Sequence, residues 1–421
     1  MSAATTQPVR ERDLAAAGDP GLLAAARAYI DRVRGGEMGS LPAVLGIVVL
    51  CVVFSLLRPS FFSALNFANL LVQGASITVI AMGLVFVLLV GEIDLSAGLT
   101  SGVAGAVLAE VLTVQGHPLA VALAAALLTG TAVGLTLGSL VAKIGIPSFV
   151  VTLAAFLGFQ GVVLLIIGTG GNVTIRDSVI LAIANETVPP ALGLLLCAVL
   201  VVGYAVAQAL QRVRRRRQGV GVAPPTVIAV RIATLAVVTG AAVYVLNLER
   251  SRNPALVSLR GVPVVVPLIV VLLLVLTFVL RRTVFGRHIY AVGGSREAAR
   301  RSGINVDRIR IAAFMIGSTM AAVGGIIAAS RANSVDPNAG GSNTLLYAVG
   351  AAVIGGTSLF GGRGRVLNAI LGGAVIAIID NGMGLMGYSA GVRYVVTGVV
   401  LLVAAGVDAL SRKRATASGR G

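Results

Sequence analysis

Apolar residues run along this chain in stretches of about 20, separated by short polar or glycine-rich breaks. A helix of that length crosses a hydrocarbon core of about 30 Å. Inside such a core a segment must satisfy its own backbone hydrogen bonds. Twelve stretches are readable, near 41–57, 68–90, 97–115, 118–142, 147–168, 189–210, 227–247, 262–280, 309–329, 344–359, 366–388 and 392–410. They predict an all-α integral membrane protein with about 12 transmembrane helices. Composition sharpens this: the 421 residues are 57% hydrophobic and only 12% charged. A soluble domain carries about 25% charged residues, so a water-facing surface is excluded over most of the chain.

The charge that remains is one-sided, with 33 Lys and Arg against 16 Asp and Glu, a net +17. Nucleic-acid binding needs a soluble basic face or a recognition motif, and neither is present. The basic residues instead follow the alternation of loops. Twenty-six lie before residue 40, at Lys143, in 212–217, at Arg231, in 281–310, at Arg363 and Arg365, and in the tail. Seven lie on the other set: Arg58, Arg176, Arg250, Arg252, Arg260, Arg331 and Arg393. By the positive-inside rule both termini are expected in the cytoplasm. The expected location is therefore the plasma (inner) membrane, crossed many times and surrounded by lipid.

Residues 1–40 show no signal peptide. Leu22, Leu23, Ala26, Tyr29, Ile30 and Val33 fall at helical spacing opposite Arg27, Asp31, Arg32 and Arg34. That pattern predicts an interfacial amphipathic helix, with a solvated tail as the alternative. The membrane-spanning body then covers 41–410, and a basic tail covers 411–421. Cys51 and Cys197 are isolated within spans and read as small packing residues, not as a disulfide or metal pair.

A shift of 242 residues lays Ile93-Asp94-Leu95-Ser96-Ala97-Gly98 on Val335-Asp336-Pro337-Asn338-Ala339-Gly340, and Gly130-Thr131-Ala132-Val133 on Gly372-Gly373-Ala374-Val375. Three residues more lay Phe149-Val150-Val151-Thr152 on Tyr394-Val395-Val396-Thr397. Residues 66–168 and 309–410 are thus expected to be two four-helix repeats of opposite membrane orientation, a plan found in alternating-access transporters.

The segment Gly91-Glu92-Ile93-Asp94-Leu95-Ser96 interrupts an apolar region with two carboxylates, which are costly near lipid unless they face protein or water. Three readings stay open: hydrogen bonding to a polyol in a polar vestibule, proton relay, or local structure with Asp94 or Ser96 capping the next helix. Glu110 and Asp380 have no evident partner in sequence. Gln73, Ser76, Thr78, Thr152, Gln160, Asn343, Thr344 and Asn381 are neutral polar residues within spans. They suit weak, reversible contacts with a polyol, or helix–helix packing. Trp is absent, so strong ring stacking on a sugar is not expected in the pathway.

Between the spans, Ser295-Arg296-Glu297-Ala298-Ala299-Arg300-Arg301-Ser302-Gly303 reads as a short capped helix. Ser295 is the N-cap, Glu297 opposes the dipole, and Gly303 stops the helix. The loop around it, 283–310, is long enough to be functional. His288 reads as a surface residue.

At this point the motifs resemble a family. Glu297-Ala298-Ala299, three residues and Gly303 resemble the EAA-x3-G signature of ATP-binding-cassette (ABC) importer permeases. Gly286 to Ser295, Gly91 to Ser96, Ile146-Pro147-Ser148-Phe149 with Thr152, and Gly355 to Gly362 are similar to the ribose/xylose-type sugar permeases. The likeness runs from about 60 to 410. Three departures stand out: Glu92 replaces the second glycine of the box, Asp380 replaces a neutral residue before Asn381, and 180–262 looks like two inserted helices. The added length resembles the xylose permeases.

The resemblance implies a subunit that is not an enzyme, with no catalytic residue, metal or cofactor of its own. Its implied partners are a second permease copy, cytoplasmic ABC ATPase subunits that carry the ATP, and an extracytoplasmic sugar-binding protein. Gly361-Gly362-Arg363-Gly364-Arg365 lacks the Gly-Lys-Ser/Thr ending of a phosphate-binding loop. The candidate pathway residues are Gln73, Ser76, Glu92, Asp94, Ser96, Phe149, Thr152, Gln160, Asn343, Thr344 and Asn381. Those for ATPase coupling are Gly294, Ser295, Glu297, Ala298, Ala299, Arg300 and Gly303. A branched-chain amino-acid ABC permease and an ion-coupled secondary transporter remain alternatives.

Overall fold

The computed structural model describes residues 39–168, 171–219, 224–251, 253–255 and 258–417. The amphipathic segment expected before residue 39 lies outside them. Every expected stretch carries a helix: α1 (Leu41–Leu57), α2 (Ala64–Leu89), α3 (Ala97–Ala109), α4 (Leu119–Ser139), α5 (Ser148–Ile167), then, after a short α6 (Ser178–Asn185), α7 (Pro190–Arg217), α8 (Pro225–Asn247) and α9 (Val265–Arg282). Two short helices follow, α10 (Val284–Gly294) and α11 (Arg296–Arg301), before α12 (Val306–Ala332), α13 (Ser342–Ile354), α14 (Val366–Leu385) and α15 (Ala390–Ala417). Among the described residues nine helices are long and apolar enough to cross a membrane. Two-residue antiparallel ladders join β1 (Val173–Thr174) to β4 (Ser334–Val335) and β2 (Thr187–Val188) to β3 (Val262–Pro263).

The chain divides into two compact units. Of the described residues the smaller holds 191–219, 224–245 and 411–417; within it Cys197 on α7 meets the Thr239 hydroxyl on α8 at 3.4 Å. The larger comprises 39–190 and 246–410. All that follows concerns the larger unit.

Its centre is α12, packed against α2, α3 and α4. Lipid is as apolar as a leucine side chain, so no hydrophobic force presses helices together and close contact needs small residues. Gly130, Gly134 and Gly138 give α4 one bare stripe at i, i+4, i+8. A Cβ at Gly130 would lie 2.7 Å from Ala322 Cβ, one at Gly134 2.5 Å from Phe314 O, and one at Gly138 2.9 Å from Ile311 Cα. These pairings run α4 antiparallel to α12. Gly83 of α2 meets Gly317 and Met320, and Ser76 donates to Gly324 O at 2.7 Å, so α2 is antiparallel to α12 as well. Gly74 of α2 meets Ala377 of α14, and Thr78 meets Gly373.

The loops before α3 and α13 share a local fold. Asp94 Oδ1 accepts from Ser96 N at 2.8 Å, and Asp336 Oδ1 accepts from Asn338 N at 2.7 Å. Gly98 and Gly340 then meet backbone to backbone.

Three expectations need amendment. The span near 344–359 stops at Ile354, because the glycine-rich segment after it folds back and Gly362 N donates to Leu89 O at 2.9 Å. At about 1.5 Å per residue, the 13 residues of α13 reach only about 20 Å. The loop before the coupling segment contains α10, begun by Thr283 Oγ1 accepting from Gly286 N at 3.1 Å. Helix α6 was not foreseen; Asp177 caps it through the amides of Val179 and Ile180, and Ser330 and Asn333 of the α12 terminus hold its end.

Residues on either side of the α8–α9 connection also meet. Ser258 Oγ, the amides of Ser251 and Leu259, and Arg260 Nε all donate to the Glu249 carboxylate. These contacts, with the Ser258 hydroxyl first, hold the Glu249 carboxyl down to about 2.

The glycine stripe gives a testable contrast. Gly134→Leu should cut recovery of folded protein from membranes and lower its thermal midpoint in detergent, at an overpacking cost of about 1–3 kcal/mol. Gly158→Leu on α5, where a Cβ meets nothing within 4 Å, should leave both near wild type.

Candidate functional site

The larger unit has a basic end, carrying α10 and α11, and an opposite end, where α12 finishes. Near the opposite end is a cavity of about 360 Å³. Its polar wall is Gln73 and Ser76 from α2, Ser101 from α3, Arg331 from α12 and Thr344 from α13. Val72, Ile77, Ile327, Ala328, Ala332 and Gly340 complete it. The Ser76 and Ser101 hydroxyl protons are committed to Gly324 O and Gly98 O, which leaves both oxygens as acceptors. Gln73 amide and Arg331 guanidinium groups add donors.

Beside the cavity, Gln73 joins a buried amide network. Asn66 and Asn381 bond reciprocally at 2.9 and 3.0 Å, Asn381 Nδ2 donates to Gln73 Oε1 at 3.1 Å, and Asn66 Nδ2 donates to Phe61 O at 3.0 Å. Asp380, which has no evident partner in sequence, pairs with Arg393 at 3.0 Å; Glu110 accepts from Gln115 at 3.2 Å. Asn343 donates to the Tyr394 hydroxyl at 2.5 Å, and the Tyr394 ring lies 6.4 Å from that of Tyr347.

The other expected pathway residues lie elsewhere. Glu92, Asp94, Ser96 and Thr152 cluster at the basic end, where Thr152 Oγ1 donates to Ser148 O at 2.8 Å. Asp94 Oδ1 takes both the amide and the hydroxyl of Ser96, the latter at 2.6 Å, while the Ser96 side chain makes no cap bond to α3. Phe149 and Gln160 on α5 are exposed and do not line that cavity.

The Glu92 carboxylate is buried, its side chain 5% exposed. It accepts from Arg296 Nη2 at 2.6 Å, Arg310 Nε at 2.8 Å and Arg310 Nη2 at 2.7 Å. Sequence reasoning missed these partners, as it missed Ser101, Arg331 and Arg393, because contacts 204 and 218 residues apart leave no local trace.

The coupling segment folds as α11. Ser295 Oγ accepts from Ala298 N at 3.2 Å, Glu297 pairs with Arg301, and Gly303 at φ +81° follows the last turn. Ala299 is buried and anchors the helix, whereas Gly294, Ser295, Glu297, Ala298, Arg300 and Gly303 are exposed. Below it, Tyr290 of α10 donates to Gly364 O at 2.8 Å; burial pushes its phenol up, so it stays a proton donor near neutral pH. An exposed capped helix thus rests on the buried Ala299 at the basic end of the unit.

A family model described as "Branched-chain amino acid transport system / permease component" matches residues 66–405. The chain belongs to this permease family. The permease is 38% identical over 357 residues to the xylose transport system permease protein of Escherichia coli strain K12, covering 84% of this chain and 87% of that one. It is 34% identical over 372 residues to the corresponding xylose protein of Haemophilus influenzae, covering 88% and 96%. It is 30% identical over 366 residues to the ribose import permease protein of E. coli K12, covering 87% and 92%. No solved structure matches it. The permease is a multi-pass membrane subunit of an ABC importer, and the transport component rather than an enzyme.

The amide network makes a stability prediction for the permease. Asn381→Ala strands Asn66 and Gln73 without their partner, a cost of about 1–3 kcal/mol for a buried unsatisfied group. The thermal midpoint in detergent should fall clearly for Asn381→Ala and hardly at all for Gln160→Ala.

Proposed function

We propose that this permease carries a monosaccharide, a pentose such as xylose, from outside into the cytoplasm by alternating access. The observation that carries the reading is the cavity at the opposite end. At about 360 Å³ it has the scale of a small-ligand site, and neutral hydroxyl and amide groups from three helices line it beside the Arg331 guanidinium of a fourth. Such groups bind a polyol without holding it. The xylose and ribose permeases named above support the substrate class.

In this reading residues 66–168 and 309–410 are inverted repeats. Their support is the antiparallel α2–α12 pair, the matching α4–α12 and α2–α14 crossings, and the shared Asp turns at Asp94 and Asp336. Two copies of the chain form the pathway in the lipid of the inner membrane, with both termini cytoplasmic, so the basic end faces the cytoplasm. ATP is bound and hydrolysed on partner ATPase subunits that grip the exposed face of α11. An extracytoplasmic sugar-binding protein delivers the substrate to the cavity.

One observation favours a second reading. Arg331 at the cavity wall could pair with a carboxylate, which a branched-chain amino acid has and a pentose lacks. The ion-coupled alternative is weakened, since Glu92 and Asp380, two of the carboxylates it would use, are paired with arginines.

Vesicles holding the permease, its ATPase and the binding protein separate the three. Labelled xylose should enter only with ATP and both partners. Uptake of leucine in place of xylose would favour the second reading, and uptake on a proton or sodium gradient alone would sink the first. Glu297→Lys should leave the permease folded in the membrane while abolishing co-purification of the ATPase; normal co-purification would count against α11 as its docking helix.

A further inference from the structure

Resting on the reading above, we propose that Glu92 is the positioning residue that carries movement of α11 into the two helices lining the cavity. Its neighbours define the role. Arg296 is the first residue of α11 after the Ser295 cap, so its backbone moves with that helix. Besides Glu92, its guanidinium reaches Val90 O at 3.4 Å and Gly91 O at 3.2 Å, the carbonyls just past the end of α2. A cation there is favoured by the α2 dipole. Arg310 belongs to α12 and is nearly buried, its side chain 12% exposed.

One carboxylate oxygen therefore ties α11 to the basic ends of both α2 and α12. Farther along the same helices, Gln73 and Ser76 in the middle of α2, and Ile327 and Arg331 in the last turns of α12, line the cavity. From Arg310 to Arg331 α12 runs 21 residues without interruption, about 32 Å at 1.5 Å per residue. A helix of that length packed on glycine contacts moves as a rod, so a displacement at Glu92 appears at the cavity wall.

The same loop branches to two further elements. Ile93 N donates to Ser148 Oγ at 3.2 Å, which holds α5, and Asp94 fixes the start of α3 through Ser96. Glu92 and Arg310 are shielded from solvent, whereas the Arg296 side chain is 46% exposed. A buried carboxylate with two guanidiniums is held by charge-assisted hydrogen bonds that a neutral amide reproduces only in shape.

The test uses the complete transporter in vesicles, with sugar uptake and ATP hydrolysis measured in the same preparation. Glu92→Gln keeps the size of the side chain and removes its charge. The number of sugars moved per ATP should fall by about tenfold, a single coupling contact's worth, while hydrolysis continues. Arg310→Met should give the same loss, the double variant no more than either alone, and Arg310→Lys should recover most of the wild-type ratio. If Glu92→Gln does not reach the membrane, the Arg310 pair decides by itself.

An unchanged ratio in Glu92→Gln and Arg310→Met overturns the proposal. A proportional fall of uptake and hydrolysis overturns it too, because that marks lost assembly and not lost transmission. Failure of wild-type vesicles to take up sugar with ATP would instead refute the transport reading itself.

Discussion

The structure depends on one contact, the close approach of α12 to α2 and α4 across facing glycines. In hydrocarbon nothing squeezes helices together, so attraction comes from packing at short range, and it vanishes with a small gap. Gly83 against Gly317, and Gly130, Gly134 and Gly138 against Ser318, Phe314 and Ile311, bring backbones near enough to gain it. Because these crossings are tight, α2 and α12 stand as parallel-sided rods fixed in register.

Polar chemistry is sorted accordingly. Neutral donors and acceptors gather at the opposite end, around Gln73, Ser76, Ser101 and Thr344, where a solute can be bound weakly and let go. Full charges gather at the basic end, where Glu92 meets Arg296 and Arg310. Charge-assisted bonds are strong and unforgiving in geometry, which suits transmission and would trap a neutral sugar. Two charges depart from this sorting: Arg331 at the cavity wall, and Asp380 with Arg393, an ion pair beside the tyrosines of α13 and α15.

Much of the fold was legible in the chain, because transfer to lipid is an energy that each residue contributes almost independently. The twelve stretches all became helices, and α11 began at Ser295 and ended before Gly303 as its caps dictate. The failures were of another kind. Residues 355–359 are uncharged and glycine-rich, yet a backbone contact from Gly362 to Leu89 ends the helix early, and hydropathy contains no term for that. Helices α6 and α10 are too short to register as spans; the caps Asp177 and Thr283 were their only visible signals.

The candidate site divides along the same line. The sequence by itself determined which segments must be helical, which polar residues sit within them, and where an exposed capped helix projects. It also picked out Gln73, Ser76 and Thr344, because a polar group in an apolar run is costly wherever it ends up. Only the tertiary structure decided that these three share one cavity with Ser101 and Arg331, that Asn381 serves Asn66 and Gln73, and that Glu92 belongs to Arg296 and Arg310. The reason is physical: the cost of a buried polar group is read from its own residue, but the partner that relieves it is chosen by helix packing, between residues hundreds of positions apart.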